Sequence, residues 1–165
     1  AIQAALTGHL VLTTVHANTA AAAFTRLRDL GVENYLLVGA VRGVVAQRLV
    51  RRLCDHCKRA GVMTAEAIAV EPRYSAVGFA AGDAVFEAVG CPRCSGVGYR
   101  GRIAVFEILM LDDTIVELAS AGADNNRIEA AALQSGMTTM SDDAVRKALD
   151  GLTSPAEGIR VTGLR

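Results

Sequence analysis

The sequence predicts an α/β protein, and three patterns predict it. An apolar run that reads as a buried strand, "HLVLTTVH" (residues 9–16), precedes two helix-patterned stretches. Four cysteines fall into two CxxC pairs in the middle of the chain. A second strand-like run, "RGRIAVFEILML" (100–111), opens a final third patterned as amphipathic helices.

In order along the chain, "AIQAAL" reads as the last turns of a helix, with Thr7 and Gly8 as its stop. "HLVLTTVH" is apolar without clean alternation, as a parallel strand buried on both faces would be. Asn18 or Thr19 is suited to N-cap the next helix, which Gly31 ends. A further helix is expected over 35–53, with an apolar stripe at Leu36, Leu37, Ala40, Val44, Val45 and Leu49. Strand, helix, helix is the tail of an α/β domain whose beginning lies elsewhere, so the chain is expected to be a fragment. From Lys58 to Gly90 no periodicity stands out. After the strand at 100–111, helices are expected over 113–121, 125–135 and 141–150, the last N-capped by Ser141. "TSPAEGIRVTG" closes with a short helix capped by Ser154, with Pro155 at its first position.

Half the residues are hydrophobic (52%) and the formal net charge is +0, so nothing marks a nucleic-acid binder or an acidic tail. Lys58 and Lys147 are the only lysines; the arginine excess reflects either bidentate anion recognition or genomic base composition. The longest apolar run, residues 35–50, contains Arg42 and Arg48 and falls short of the ~20 residues a membrane span needs. The opening residues carry no signal-peptide pattern, so reducing surroundings are expected.

The cysteine pairs are "CDHC" (Cys54, Cys57) and "CPRC" (Cys91, Cys94). Two residues between thiols let a tight turn present both sulfurs to one tetrahedral ion, and a second knuckle completes a closed four-thiolate zinc site. The stretch between the knuckles, residues 58–90, exceeds the usual ribbon spacing of ~15–20 and reads as an insertion. Disulfides are disfavoured by the expected compartment, and a redox CxxC would stand alone at a helix start. A closed site has no open position for catalysis. His56, between two ligands, is expected to face solvent rather than metal.

His9 and His16, seven residues apart on the expected strand, would point to opposite faces and cannot share one ion. His16 stands at the strand's C-terminal end, where α/β folds place ligands, just before a helix N-terminus. It is either a phosphate-facing imidazole or a capping or core histidine. No Gly-Lys-Ser/Thr loop is present, because Lys58 follows Cys57 and Lys147 follows Arg146.

Taken together, "ALTGHLVLTTVHANTAAAAFTRLRDLGVE", "AQRLVRRLCDHC" and "GCPRCSGVGYRGRIAVFEIL" resemble the C-terminal part of type II secretion ATPases, traffic ATPases similar to the type IV pilus assembly ATPases. The resemblance continues through "SGMTTMSDDAVRKALDGLTSPAEGIRVT", and "FEILMLDD" and "IRVTG" favour the secretion branch. It implies the C-terminal part of a RecA-like P-loop NTPase domain with a histidine box (1–53), a tetracysteine zinc-binding subdomain (54–98) and a C-terminal subdomain of one strand plus helices (99–165). It also implies a hexameric motor, cytoplasmic and peripheral at the bacterial inner membrane, that uses ATP and Mg to drive pseudopilus assembly with inner-membrane platform proteins.

The Walker elements of the family would precede Ala1, and the chain alone is expected to be inactive. In the matching "TGHLVLTTVH", His16 would lie near the nucleotide γ-phosphate and act in catalysis, with His9 supporting the strand. The matching "YRGR" suggests that Arg102, and less directly Arg100, reaches the nucleotide or a neighbouring subunit; either could instead pair with a surface carboxylate. The zinc insertion has its own length and composition, and a glycine interrupts "PAEGIR". The rival readings are a pilus assembly ATPase and a non-enzymatic zinc-binding interaction module.

Overall fold

The computed structural model describes residues 1–163. The chain divides into two compact units, one of Ala1–Ala46 with Glu107–Thr139, the other of Gln47–Phe106 with the chain from Met140 onward.

In the first unit, α1 (Ile2–Leu6) ends at Thr7. Residues 9–17 follow without regular structure, and Leu10 and Leu12 are 90% and 88% exposed. The strand expected over 9–16 is therefore absent. An apolar run becomes a strand when a neighbour completes its hydrogen-bond ladder, and among the described residues no strand pairs with it. The chain then turns into α2 (Ala22–Asp29), where the Thr19 hydroxyl accepts the Ala22 N–H at 3.1 Å. Neither expected cap is the N-cap of α2, which is Ala21 with no side-chain cap; Thr19 holds the turn just before it.

The helix expected over 35–53 is also corrected. α3 (Asn34–Ala40) stops at Val41, whose backbone is extended, and the rest is the long strand β1 (Gly43–Leu53). Valines at 44, 45 and 50 fit both a helical stripe and a pleated strand, and packing decides between them. Burial alternates along the front of β1: Val44, Ala46 and Arg48 turn inward, Val45, Gln47 and Leu49 outward. β1 pairs with β4 (Tyr99–Met110). The chains come so close at Gly43 that a Cβ there would lie 3.2 Å from the Leu109 carbonyl oxygen.

Two helices complete this unit, α6 (Asp113–Ser120) and α7 (Asn125–Gln134), N-capped by the carboxylates of Asp112 and Asp124. The core gathers Ala20, Ala21, Phe24, Leu37, Leu109, Ile115 and Ile128.

The second unit holds what the sequence pattern did not reveal between Lys58 and Gly90. β2 (Arg59–Val62) pairs antiparallel with β3 (Ala84–Glu87), in register from Arg59 with Glu87 to Val62 with Ala84. Between them lie α4 (Ala65–Val70), capped by Thr64, and α5 (Arg73–Val77). Elements of four to six residues are too short to register a period. Met63, Phe79 and Val85 pack with Ala148 of α8 (Met140–Leu149). Ser141 lies in the first turn of α8 rather than capping it. α9 (Pro155–Thr162) begins as expected, with Pro155 in its first turn and the Ser154 hydroxyl accepting the Glu157 N–H at 3.2 Å. Val50, Val105, Ala144 and Val161 form a further small core.

Candidate functional site

Both cysteine pairs emerge from the ends of paired strands in the second unit. β1 runs directly into Cys54, whose N–H donates to the Gly98 carbonyl at 2.9 Å, one residue before β4 begins. The N–H groups of Cys57 and Lys58 close back on the Cys54 carbonyl at 3.2 and 2.9 Å, making the first knuckle a tight turn. The second knuckle is a 3-10 turn, Pro92–Cys94, after which Ser95 takes a left-handed conformation (φ 54°). Glycines are required around it. Gly90 (φ +111°) and Gly98 (φ +75°) lie so close to Gly96 and Ala88 that a Cβ would approach to 2.3 Å and 2.7 Å.

These turns bring four Sγ atoms within 4.8 Å of one another. Cys54 and Cys91 are 3.9 Å apart, and Cys94 lies 3.8 Å from both Cys57 and Cys91. In a tetrahedral site with metal–sulfur bonds of about 2.3 Å, the sulfurs stand about 3.8 Å apart, whereas a disulfide would bring two to about 2.0 Å. The four thiols therefore fit one tetrahedral metal ion, and all four are free.

Burial opposes ionisation of Cys94, but its sulfur accepts the N–H groups of Cys91 and Gly98, both at 3.2 Å, and its thiol is drawn down to about 6. Cys57 is pushed up to about 12, first by burial and then by hydrogen bonds among the neighbouring thiols. Four thiolates at this spacing repel, so full ionisation needs a cation among them. His56 takes no part in the cluster; it is exposed, and the Arg93 guanidinium donates to its Nε2 at 2.7 Å.

A buried carboxylate braces the strands beneath the knuckles. Glu157 is fully buried on α9 and accepts from the Arg51 N–H (2.9 Å), the Arg51 guanidinium (2.7 and 3.0 Å) and Arg160 (2.7 and 2.8 Å). The Arg51 guanidinium also stacks 4.1 Å from the centre of the Tyr99 ring, and the hydroxyls of Tyr99 and Ser154 are 2.6 Å apart. Arg51 and Tyr99 stand just before Cys54 and just after Gly98, so α9 pins both strand ends that carry the thiols.

The remaining expected residues are distributed as follows. Arg100 lines a cleft of about 260 Å³ beside Cys54, together with Arg52, Asp55 and His56. Arg102 is exposed two residues further along β4. Both belong to the second unit, whereas His16 belongs to the first and is exposed. His9 turns back onto α1, its Nδ1 3.2 Å from both the Ala4 carbonyl and the Thr7 hydroxyl. Glu107 and Glu157 were not singled out by sequence reasoning. A signal existed for Glu107: it shares the buried register of β4 with Val105 and Leu109, an unusual place for a carboxylate. Among the described residues no helix is long and apolar enough to cross a membrane.

Comparison with known proteins adds the family. Residues 1–160 match the model of the "Type II/IV secretion system protein" family. Type II secretion system protein E of Pectobacterium carotovorum is 44% identical over 98% of this chain and 31% of its own length. Type II secretion system ATPase E of Vibrio cholerae is 40% identical over 98% of this chain and 31% of its own. The type IV pilus assembly ATPase PilB of Thermus thermophilus is 40% identical over 95% of this chain and 17% of its own. The chain thus spans less than a third of the length of these curated relatives.

Proposed function

This chain belongs to the type II/IV secretion system protein family, and from that membership we propose that it is the C-terminal part of a type II secretion ATPase. The match across residues 1–160 carries this reading. In the whole protein, a RecA-like P-loop domain would bind ATP and Mg. A homohexamer at the cytoplasmic face of the inner membrane would use hydrolysis to drive pseudopilus assembly against platform proteins. Residues 1–53 would complete the RecA-like domain and carry the histidine box. Residues 54–98 would form the zinc subdomain, and residues 99–165 a mainly helical tail. The exposure of Leu10 and Leu12 supports the first of these assignments, because an apolar run left open is what a sheet completed by other parts of the same protein would cover.

His16 is the residue of this chain assigned to chemistry. Its imidazole would hydrogen-bond at the γ-phosphate and hold it, or the attacking water, in place. Arg102 and Arg100 would stabilise charge developing on phosphate oxygens, within one subunit or across to the next. The phosphate-cradling lysine is not in this chain, so residues 1–165 alone would not hydrolyse ATP. Cys54, Cys57, Cys91 and Cys94 would hold zinc, which suits an all-thiolate tetrahedron. Its contribution is to staple the subdomain, since a closed site leaves no position for substrate.

The pilus branch is the second reading, favoured by the PilB similarity. Disrupting the gene distinguishes the two. Loss of exported folded enzymes with surface pili intact is expected; loss of pili with export intact would move the assignment to pilus assembly. Purified full-length protein lacking ATPase activity would overturn both.

A further inference from the structure

We propose that Glu107 is a positioning residue for the histidine box; this rests on the role given to His16 above. Glu107 lies on β4 and is 1% exposed, and its Oε1 accepts the Ala20 N–H at 2.8 Å across 87 positions of sequence. Ala20 is four residues beyond His16, in the turn that starts α2. Its neighbours are tied in as well. Thr19 accepts the Ala22 N–H at 3.1 Å, and the Ala20 and Ala21 carbonyls accept from Ala23 and Phe24, both at 3.2 Å.

Upstream, residues 9–17 have no regular structure, so the anchored turn is the fixed end from which the backbone carrying His16 extends. Ala20 and Ala21 are fully buried, and an aliphatic side chain at 107 would fill the same register without the cost of desolvating a carboxylate. The carboxylate directs a bond to the Ala20 backbone N–H and puts a negative charge where the α2 dipole favours one. The same strand carries Arg100 and Arg102 at its start, so β4 bears both the arginines and the anchor of the histidine box.

The test is a double-mutant cycle in the full-length ATPase, reading kcat and KM for ATP, with zinc content and hexamer size as checks. Glu107→Ala removes the acceptor, and Glu107→Asp withdraws it by one methylene while keeping the charge, which serves if the alanine variant does not fold. Each is expected to lower kcat about tenfold or more with little change in KM, because a small misplacement of a reacting group is costly. Glu107→Gln, which keeps an acceptor of the same reach, should recover most of the loss. In a His16→Ala background the Glu107 changes should cost less than about twofold, since the positioned group is gone. Additive losses, or a glutamine variant as slow as the alanine, would overturn the proposal while leaving His16 in place. Unchanged turnover in His16→Ala alone would instead overturn the histidine assignment, and this proposal with it.

Discussion

Replacing Glu157 with glutamine removes a charge that two arginines are arranged to receive. Burial pushes the Glu157 carboxyl upward, yet hydrogen bonds from Arg160 and Arg51 outweigh it and hold the group at about 2, against an ordinary 4.5. At about 1.4 kcal/mol per tenfold change in proton affinity, that difference is worth at most ~3 kcal/mol. The Arg51 and Arg160 side chains are 49% and 58% exposed, so solvent screening reduces the expected contribution to ~1–2 kcal/mol. The sign follows from the lowered value. The unfolded chain binds a proton more readily than the folded one, so the stabilisation is complete above pH 4.5 and is lost as pH falls toward 2. Thermal unfolding of wild type and Glu157→Gln at pH 7 should differ by ~2–8 °C for a chain of this size. The gap should close progressively below pH 4.5. Any metal held by the four cysteines would leave both proteins in acid, so the difference between them, not either midpoint, is the quantity to follow. A gap of equal size at pH 7 and pH 3, or none at pH 7, would refute the reasoning.

The four-cysteine cluster yields two further predictions. Cys91→Ser should leave protein that loses its metal on desalting and unfolds at lower temperature, measured by elemental analysis and calorimetry, because a closed thiolate site contributes folding energy directly; full metal occupancy in that variant would contradict the site. Gly98→Ala places a Cβ 2.7 Å from that of Ala88 at a φ of +75° and displaces an N–H bonded to Cys94. Competition with a chelator should show metal affinity reduced about 10–100-fold with all four thiols present.

What was legible in the sequence was what local chemistry encodes. Two CxxC pairs announce a thiolate centre because the spacing itself builds the turn, and the sulfurs meet as that spacing requires. The helices after residue 112 were legible because carboxylates, Pro155 and amphipathic spacing mark their starts. Residues 43–53 were not, since an apolar run with arginines at 48, 51 and 52 satisfies a helical and a pleated period alike. The neighbour that decides is β4, some fifty residues away. The run at 9–16 carries a strand pattern with no partner among the described residues. Glu107 and Glu157 look like ordinary acids in the sequence; their meaning lies in partners 87 and 106 positions away.

The most direct measurement is ATP turnover by the full-length protein with and without His16→Ala, alongside its metal content and oligomer size. Turnover lower by about tenfold or more, with metal content and oligomer size unchanged, is the predicted result. Unchanged turnover would contradict the assignment of this histidine, and with it the claim that residues 1–53 face the nucleotide.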